Sequence, residues 1–220
     1  MKNFTLITIL SLLLSVSCTA QTKRDAAKMQ AAESVAVEQT DAVKIEEPKK
    51  EVMQEVVIET SLGNITIALY NETPQHRDNF IKLTNDKFYD GVLFHRIIQN
   101  FMIQTGDPDS KTAAKGQALG RGGPGYTIPA EILPQFNHKR GAIGAARLGG
   151  PSNPQRASSG SQFYIVDNPN GSHHLNGEYT VFGEVLQGMD VVDRIAAQPK
   201  DQGDRPLEDI KVISMKVVEK

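Results

Sequence analysis

A chain of 220 residues is long enough for one domain with a full core plus further segments. Its formal net charge is −2 and its cations form no basic stripe, which argues against a nucleic-acid partner. Its one cysteine, Cys18, excludes an intramolecular disulfide framework.

The N-terminus opens with Lys2 and an apolar run over residues 4–16. That run is shorter than the roughly 20 residues a membrane-spanning helix needs. A charged start, a short apolar stretch and Ser15-Val16-Ser17 before Cys18 read as a secretory signal over residues 1–17. The arrangement resembles a bacterial lipoprotein signal, in which the cysteine is lipidated and becomes the first mature residue. The commonest form has leucine three places before the cysteine; here that place is Ser15, with Leu14 one further back. An ordinary signal peptide with an incidental cysteine is the alternative. The lipoprotein reading implies export to the bacterial cell envelope and membrane attachment through lipid on Cys18, with the rest of the chain in the periplasm. Residues 18–54 contain no glycine and no aromatic residue and are rich in Ala, Glu, Lys, Gln and Val. Such a segment buries too little apolar area to offset the entropy of ordering, so it reads as a flexible tether.

A domain is expected over residues 55–220. Residues 56–60 and 64–70 are β-branched and partly alternating, with Ser61-Leu62-Gly63 as the turn of a hairpin. A helix follows, with Thr73 as N-cap, Pro74 at its first position and Phe80 and Leu83 on its inner face. The glycine-rich residues 108–134 read as loop, with a short extended piece near Tyr126-Thr127-Ile128. A second helix is expected over residues 189–197, with Val191, Val192 and Ile195 inward, and a last strand over residues 211–218.

The most informative stretch is Phe94-His95-Arg96-Ile97-Ile98-Gln99-Asn100-Phe101-Met102-Ile103-Gln104-Thr105-Gly106-Asp107-Pro108. One arginine sits among apolar residues at strand spacing. Phe94, Arg96 and Ile98 fall on one face, and Met102 pairs with Gln104 on one face. Such a face is an apolar pocket with a fixed donor. The stretch resembles the signature of cyclophilin-type peptidyl-prolyl isomerases, FHRIIxxFMxQxGD. Ser159-Gly160-Ser161-Gln162-Phe163-Tyr164-Ile165-Val166 is similar to that family's SQFFI strand. Leu175-Asn176-Gly177-Glu178-Tyr179-Thr180-Val181-Phe182-Gly183-Glu184-Val185 is similar to its LDGxxxVFGxV. The three matches come in the family's order.

The resemblance implies a mainly β fold: a closed eight-stranded antiparallel barrel with a helix over each open end, binding ligands on its outside. It also implies the reaction. Rotation about a peptide bond costs about 18–20 kcal/mol because the C–N bond has double-bond character. X–Pro bonds populate both isomers but exchange over tens to hundreds of seconds. A catalyst needs an apolar grip on the proline ring and a donor aimed at the imide nitrogen as conjugation is lost; it needs no cofactor, metal or nucleophile. Arginine suits the donor role because it stays charged and its fork is rigid. By resemblance, Arg96 is the catalytic guanidinium, and Phe101, Met102, Tyr164 and Leu175 line the proline pocket. Gln104 orients Arg96 and binds the substrate backbone, with Gln162 nearby. Ala146 and Arg147 match the segment whose backbone pairs with the peptide. Tyr179 sits where many members have histidine, and His174 where tryptophan or phenylalanine is usual. The implied partners are proline-containing unfolded or loop segments of other proteins, met by a monomer.

Other readings stand beside this one. Taken outside its motif, Arg96 reads as a structural strand arginine paired with an acid. His95 reads as a packed, hydrogen-bonded histidine, since the reaction needs no base. His173-His174 lacks a third metal ligand. Gly120-Arg121-Gly122-Gly123-Pro124-Gly125 lacks the strand-before, helix-after context of a phosphate loop and reads as structural. The same pocket would serve a binding module for proline segments, and the tether an envelope scaffold. Tyr164 brings a hydroxyl to an apolar wall. Residues 148–157 form a longer loop than is common, with Pro151, Pro154 and Arg156, placed to alter substrate choice.

Overall fold

A computed structural model describes residues 52–219. The signal peptide, Cys18 and nearly all of the tether lie outside the described residues. Val52 and Met53 are exposed, and Gln54 already opens the first strand. Strands β1 (Gln54–Thr60) and β2 (Gly63–Leu69) form the expected hairpin, pairing Thr60 with Gly63. Thr60 fastens the turn: its hydroxyl donates to the Gly63 carbonyl at 2.6 Å and accepts the Leu62 N–H at 3.1 Å.

After helix α1 (Pro74–Asn85) come β3 (Arg96–Ile98), β4 (Met102–Thr105), β5 (Thr127–Ile128), β6 (Ala142–Ala145), β7 (Ser158–Ser159), β8 (Phe163–Val166), β9 (Val181–Gln187), α2 (Met189–Ala196) and β10 (Val212–Val217). The main sheet is antiparallel with eight strands in the order β10-β1-β2-β9-β6-β8-β4-β3, and β5 pairs separately with β7. The sheet curls but does not close, which corrects the closed barrel expected from the resemblance. Its edges, β3 and β10, share no ladder. The seam is stitched instead by short segments beside them: Phe94 N–H to Ile210 O at 2.9 Å, Val212 N–H to Val92 O at 2.8 Å, and Ile97 N–H to Asp204 O at 2.9 Å. The local backbone explains the gap. β3 is three residues long, Asp204 holds φ at 65°, and Pro206 has no N–H to give a ladder.

Strand alternation divides the side chains between two apolar clusters. Ile97, Ile103, Phe163 and Ile165 point into the inner core, where α1 adds Phe80 and Leu83 and α2 adds Val191, Val192 and Ile195. Met102, Tyr164 and Val166 point to the other face, joined by the half-buried Ile98, Phe101, Leu175 and Tyr179. Phe94 departs from the expected face. It lies before β3, outside regular strand, and is buried in the inner core. Helix α1 begins where predicted, yet Thr73 does not cap it with its side chain. The Thr73 hydroxyl donates to the Tyr70 carbonyl at 3.3 Å, and the free N–H groups of Gln75 and His76 go to the Glu131 carboxylate at 3.1 and 3.0 Å. A carboxylate at the positive end of the helix satisfies the same donors a cap would. Among the described residues no helix is long and apolar enough to cross a membrane.

Candidate active site

The antiparallel register builds the site as a row across four strands. Arg96 on β3 stands opposite Gln104 on β4, Gln104 opposite Tyr164 on β8, and Tyr164 opposite Gly144 on β6. This row and its neighbours enclose a cavity of about 130 Å³ lined by Arg96, Phe101, Met102, Gln104, Ala146, Arg147, Tyr164, Leu175 and Tyr179. All nine are among the residues singled out from the sequence. Gln162 stands behind Gln104, and His174 is exposed at the rim, stacked on Phe101 with ring centres 5.6 Å apart.

Arg96 is only loosely held. Its Nη1 lies 3.5 Å from Gln104 Oε1 and 4.0 Å from Met102 Sδ. Its nearest acid, Asp204, is 3.9 Å from Nε and sits closer to Lys200, at 2.7 Å. The guanidinium therefore keeps donors free at the cavity edge, unlike an arginine committed to a structural ion pair. Gln104 is fixed from behind: its Nε2 donates to Gln162 Oε1 at 3.1 Å, and Gln162 Nε2 donates to Gly122 O at 2.7 Å. That chain turns Gln104 Oε1 toward Arg96.

Ala146 and Arg147 differ in what they can offer a peptide backbone. Ala146 gives its N–H to Gln162 O at 3.0 Å, and its carbonyl accepts from Ser159 at 2.7 Å. Its N–H is thus spent inside the chain. Arg147 lines the cavity, and its main-chain groups have no partner among the described residues. The Arg147 side chain donates from Nε to Glu178 O at 3.0 Å, and its guanidinium carbon lies 4.4 Å from the Tyr179 ring centre.

The Tyr164 hydroxyl does not intrude on the apolar wall. It donates to His138 Nε2 at 2.8 Å beneath the cavity floor. Asn176 Oδ1 accepts both the His138 backbone N–H and Nδ1, each at 2.9 Å, so Nδ1 carries the proton and Nε2 is bare to accept. His138 is 0% exposed, and burial pulls its pKa below the ordinary histidine value, while burial raises the Tyr164 phenol. Gly144 makes room for this bond: a Cβ there would stand 2.2 Å from Tyr164 Cζ. His138, Asn176 and Gly144 escaped sequence reasoning. The available signal was Tyr164 itself, because a buried phenol hydroxyl needs a partner.

The remaining motifs resolve without chemistry of their own. His95 is buried, and burial lowers its pKa, so it packs as a neutral ring; neither ring nitrogen makes a hydrogen bond among the described residues, which corrects the hydrogen-bonded histidine expected from the sequence. The anion held by the glycine-rich loop is internal: Asp107 Oδ2 accepts the Gly120 N–H at 2.5 Å and the Gly122 N–H at 3.4 Å. Among the described residues no three His, Cys, Asp or Glu side chains are placed to hold a metal ion.

The curled antiparallel sheet carries, on its outer face, an apolar cavity with one unspent guanidinium, the arrangement expected of an enzyme that twists prolyl peptide bonds. The chain belongs to the cyclophilin-type peptidyl-prolyl cis-trans isomerases, whose family model matches residues 55–217, and it is an isomerase. It is 38% identical to peptidyl-prolyl cis-trans isomerase-like 1 of Aspergillus fumigatus, over 75% of this chain and 96% of that relative. It is 36% identical to peptidyl-prolyl cis-trans isomerase CYP18-2 of Arabidopsis thaliana, over 75% of this chain and 94% of that one. Among solved structures, a cyclophilin-type isomerase of Cryptosporidium parvum superposes with a TM-score of 0.65 at 27% identity, covering 77% of this chain and 99% of its own. The same enzyme determined in the presence of the dipeptide Ala-Pro superposes with a TM-score of 0.63 at 28% identity, covering 76% and 100%.

Proposed function

We propose that this isomerase accelerates X–Pro exchange in unfolded or loop segments of exported proteins at a bacterial cell envelope, assisting their folding. The apolar walls of Phe101, Met102, Tyr164 and Leu175 hold the proline ring while the chain on one side of the bond turns. Arg96 donates to the imide nitrogen as its lone pair leaves conjugation, lowering a barrier of about 18–20 kcal/mol without moving a proton or forming a covalent bond. Gln104, steadied by Gln162, orients Arg96, and the Arg147 main chain pairs with the peptide. Tyr179 and His174 border the mouth. The enzyme works as a monomer without a cofactor. The relative determined with Ala-Pro supports a proline peptide as ligand. The apolar run ending at Cys18 supports export and a lipid anchor.

The observation that carries the catalytic assignment is the guanidinium of Arg96 at the edge of the cavity, with its nearest acid drawn toward Lys200. Turnover of a proline tetrapeptide by Arg96→Ala tests it. Loss of one preorganised donor lowers rate by about 10²–10³-fold. A folded variant that keeps most of its turnover overturns the assignment. One that still binds the peptide but no longer turns it over separates catalysis from simple binding.

A further inference from the structure

We propose that a second, larger cavity beside the proline pocket receives a carboxylate side chain of the substrate, so that X–Pro segments with Asp or Glu near the proline are preferred. The proposal rests on the isomerase reading of the Arg96 site, because it needs the peptide to lie across that site. The two cavities share Gln104, Ala146 and Arg147 as walls. An extended chain advances at most about 3.3–3.6 Å per residue, so a side chain one or two places from the proline reaches the second cavity. That cavity measures about 660 Å³, ample for a long side chain.

Its charge is one-sided. The charged residues lining it are Arg121 and Arg147, and neither Asp nor Glu lines it. Arg121 is exposed and has no hydrogen-bond or ion-pair partner among the described residues. Arg147 is paired, with Nη2 at 3.3 Å from Glu178 Oε2, but Glu178 also faces Arg156 at 3.2 Å. Two guanidinium groups share one carboxylate, so the trio retains a positive charge. Asp107 and Asp109 lie behind Gly122 rather than in the cavity, and Asp107 already accepts three backbone N–H groups. The long loop over residues 148–157 forms one wall, and Arg156 ties it down by donating to Gly177 O at 2.8 Å. The loop's length thereby acquires a purpose: it closes a cationic chamber next to the reacting bond.

Acetylated, amidated tetrapeptides test this, with Glu or Gln stepped through the positions around the proline so that no terminal charge interferes. Calorimetry with the full chain gives each Kd, and exchange spectroscopy gives turnover. At about 0.05 M salt the Glu peptide binds about two- to fivefold tighter than its Gln partner at one position or more, the range of a partly exposed ion pair. The advantage shrinks at about 0.5 M salt. Arg121→Glu removes or inverts it. Equal Kd values for Glu and Gln at every position, or an advantage that survives Arg121→Glu, overturn the proposal. A Glu advantage in Kd with no turnover of any peptide sinks the isomerase reading and leaves the cationic chamber standing.

Discussion

Replacing Tyr164 with phenylalanine removes one oxygen and isolates a buried nitrogen. His138 Nε2 loses its only donor among the described residues, 2.8 Å away, while Nδ1 stays bonded to Asn176. No solvent reaches the site, since His138 is 0% exposed and Tyr164 is buried over Gly144. Stranding a buried acceptor costs about 1–3 kcal/mol. In a domain of this size each kcal/mol moves Tm by about 2–4 °C, so Tyr164→Phe lowers Tm by about 2–12 °C. Adding His138→Leu removes the stranded nitrogen, and Asn176 Oδ1 keeps the backbone N–H of residue 138 at 2.9 Å. The double variant therefore costs less than the two single variants together, with a coupling of about 0.5–3 kcal/mol. Thermal melts of the four proteins measure it. A Tyr164→Phe protein as stable as wild type, or strictly additive costs, would refute the bond's role.

Three further outcomes follow from the same structure. Gly144→Ala should destabilise the domain by about 1–3 kcal/mol, and Tyr164→Phe should not fully rescue it, because the added Cβ meets ring carbons Cζ at 2.2 Å and Cε2 at 2.5 Å as well as the hydroxyl oxygen at 2.4 Å; full rescue by phenylalanine in a melt would contradict this. Burial lowers the pKa of His76, His95 and His138, so the unfolded chain takes up protons first as pH falls, and stability is full above about pH 6.5 and declines below it; urea midpoints that are equal or higher at about pH 5.5 than at about pH 7.5 would contradict the assignment of neutral buried rings. Cys18→Ser should move the protein from the membrane fraction to the soluble one with isomerase turnover intact, and wild-type protein found already soluble on fractionation would refute the lipid anchor.

What the sequence made legible was local. β-branched alternation with a turn announced the β1–β2 hairpin, and Pro74 announced the start of α1. The spacing put Arg96 on a face with Ile98 and paired Met102 with Gln104, and the register brings Arg96 opposite Gln104. What escaped depended on distant partners. Thr73 is a competent cap by type, but Glu131 takes the helix N–H groups from 55 residues away. Phe94 obeys the spacing of a strand that starts only at Arg96, so it turns inward instead. The open seam reflects Asp204 and Pro206, whose effect appears only once they lie beside β3. His138 and Asn176 are 38 residues apart and meet beneath Tyr164 only in the folded chain.

The central claim is that Arg96, held at the edge of an apolar cavity, lowers the barrier to X–Pro rotation. Exchange spectroscopy on a proline tetrapeptide with a small fraction of enzyme measures that barrier directly, comparing wild type with Arg96→Lys. Lysine keeps the charge but loses the rigid fork and its second donor. The account predicts cis–trans exchange far faster than the uncatalysed tens to hundreds of seconds with wild type. It predicts a rate at least about tenfold lower with a folded Arg96→Lys protein, since the fork aims the donor where charge develops. Exchange that wild type leaves unaccelerated, or that Arg96→Lys accelerates equally, would contradict it.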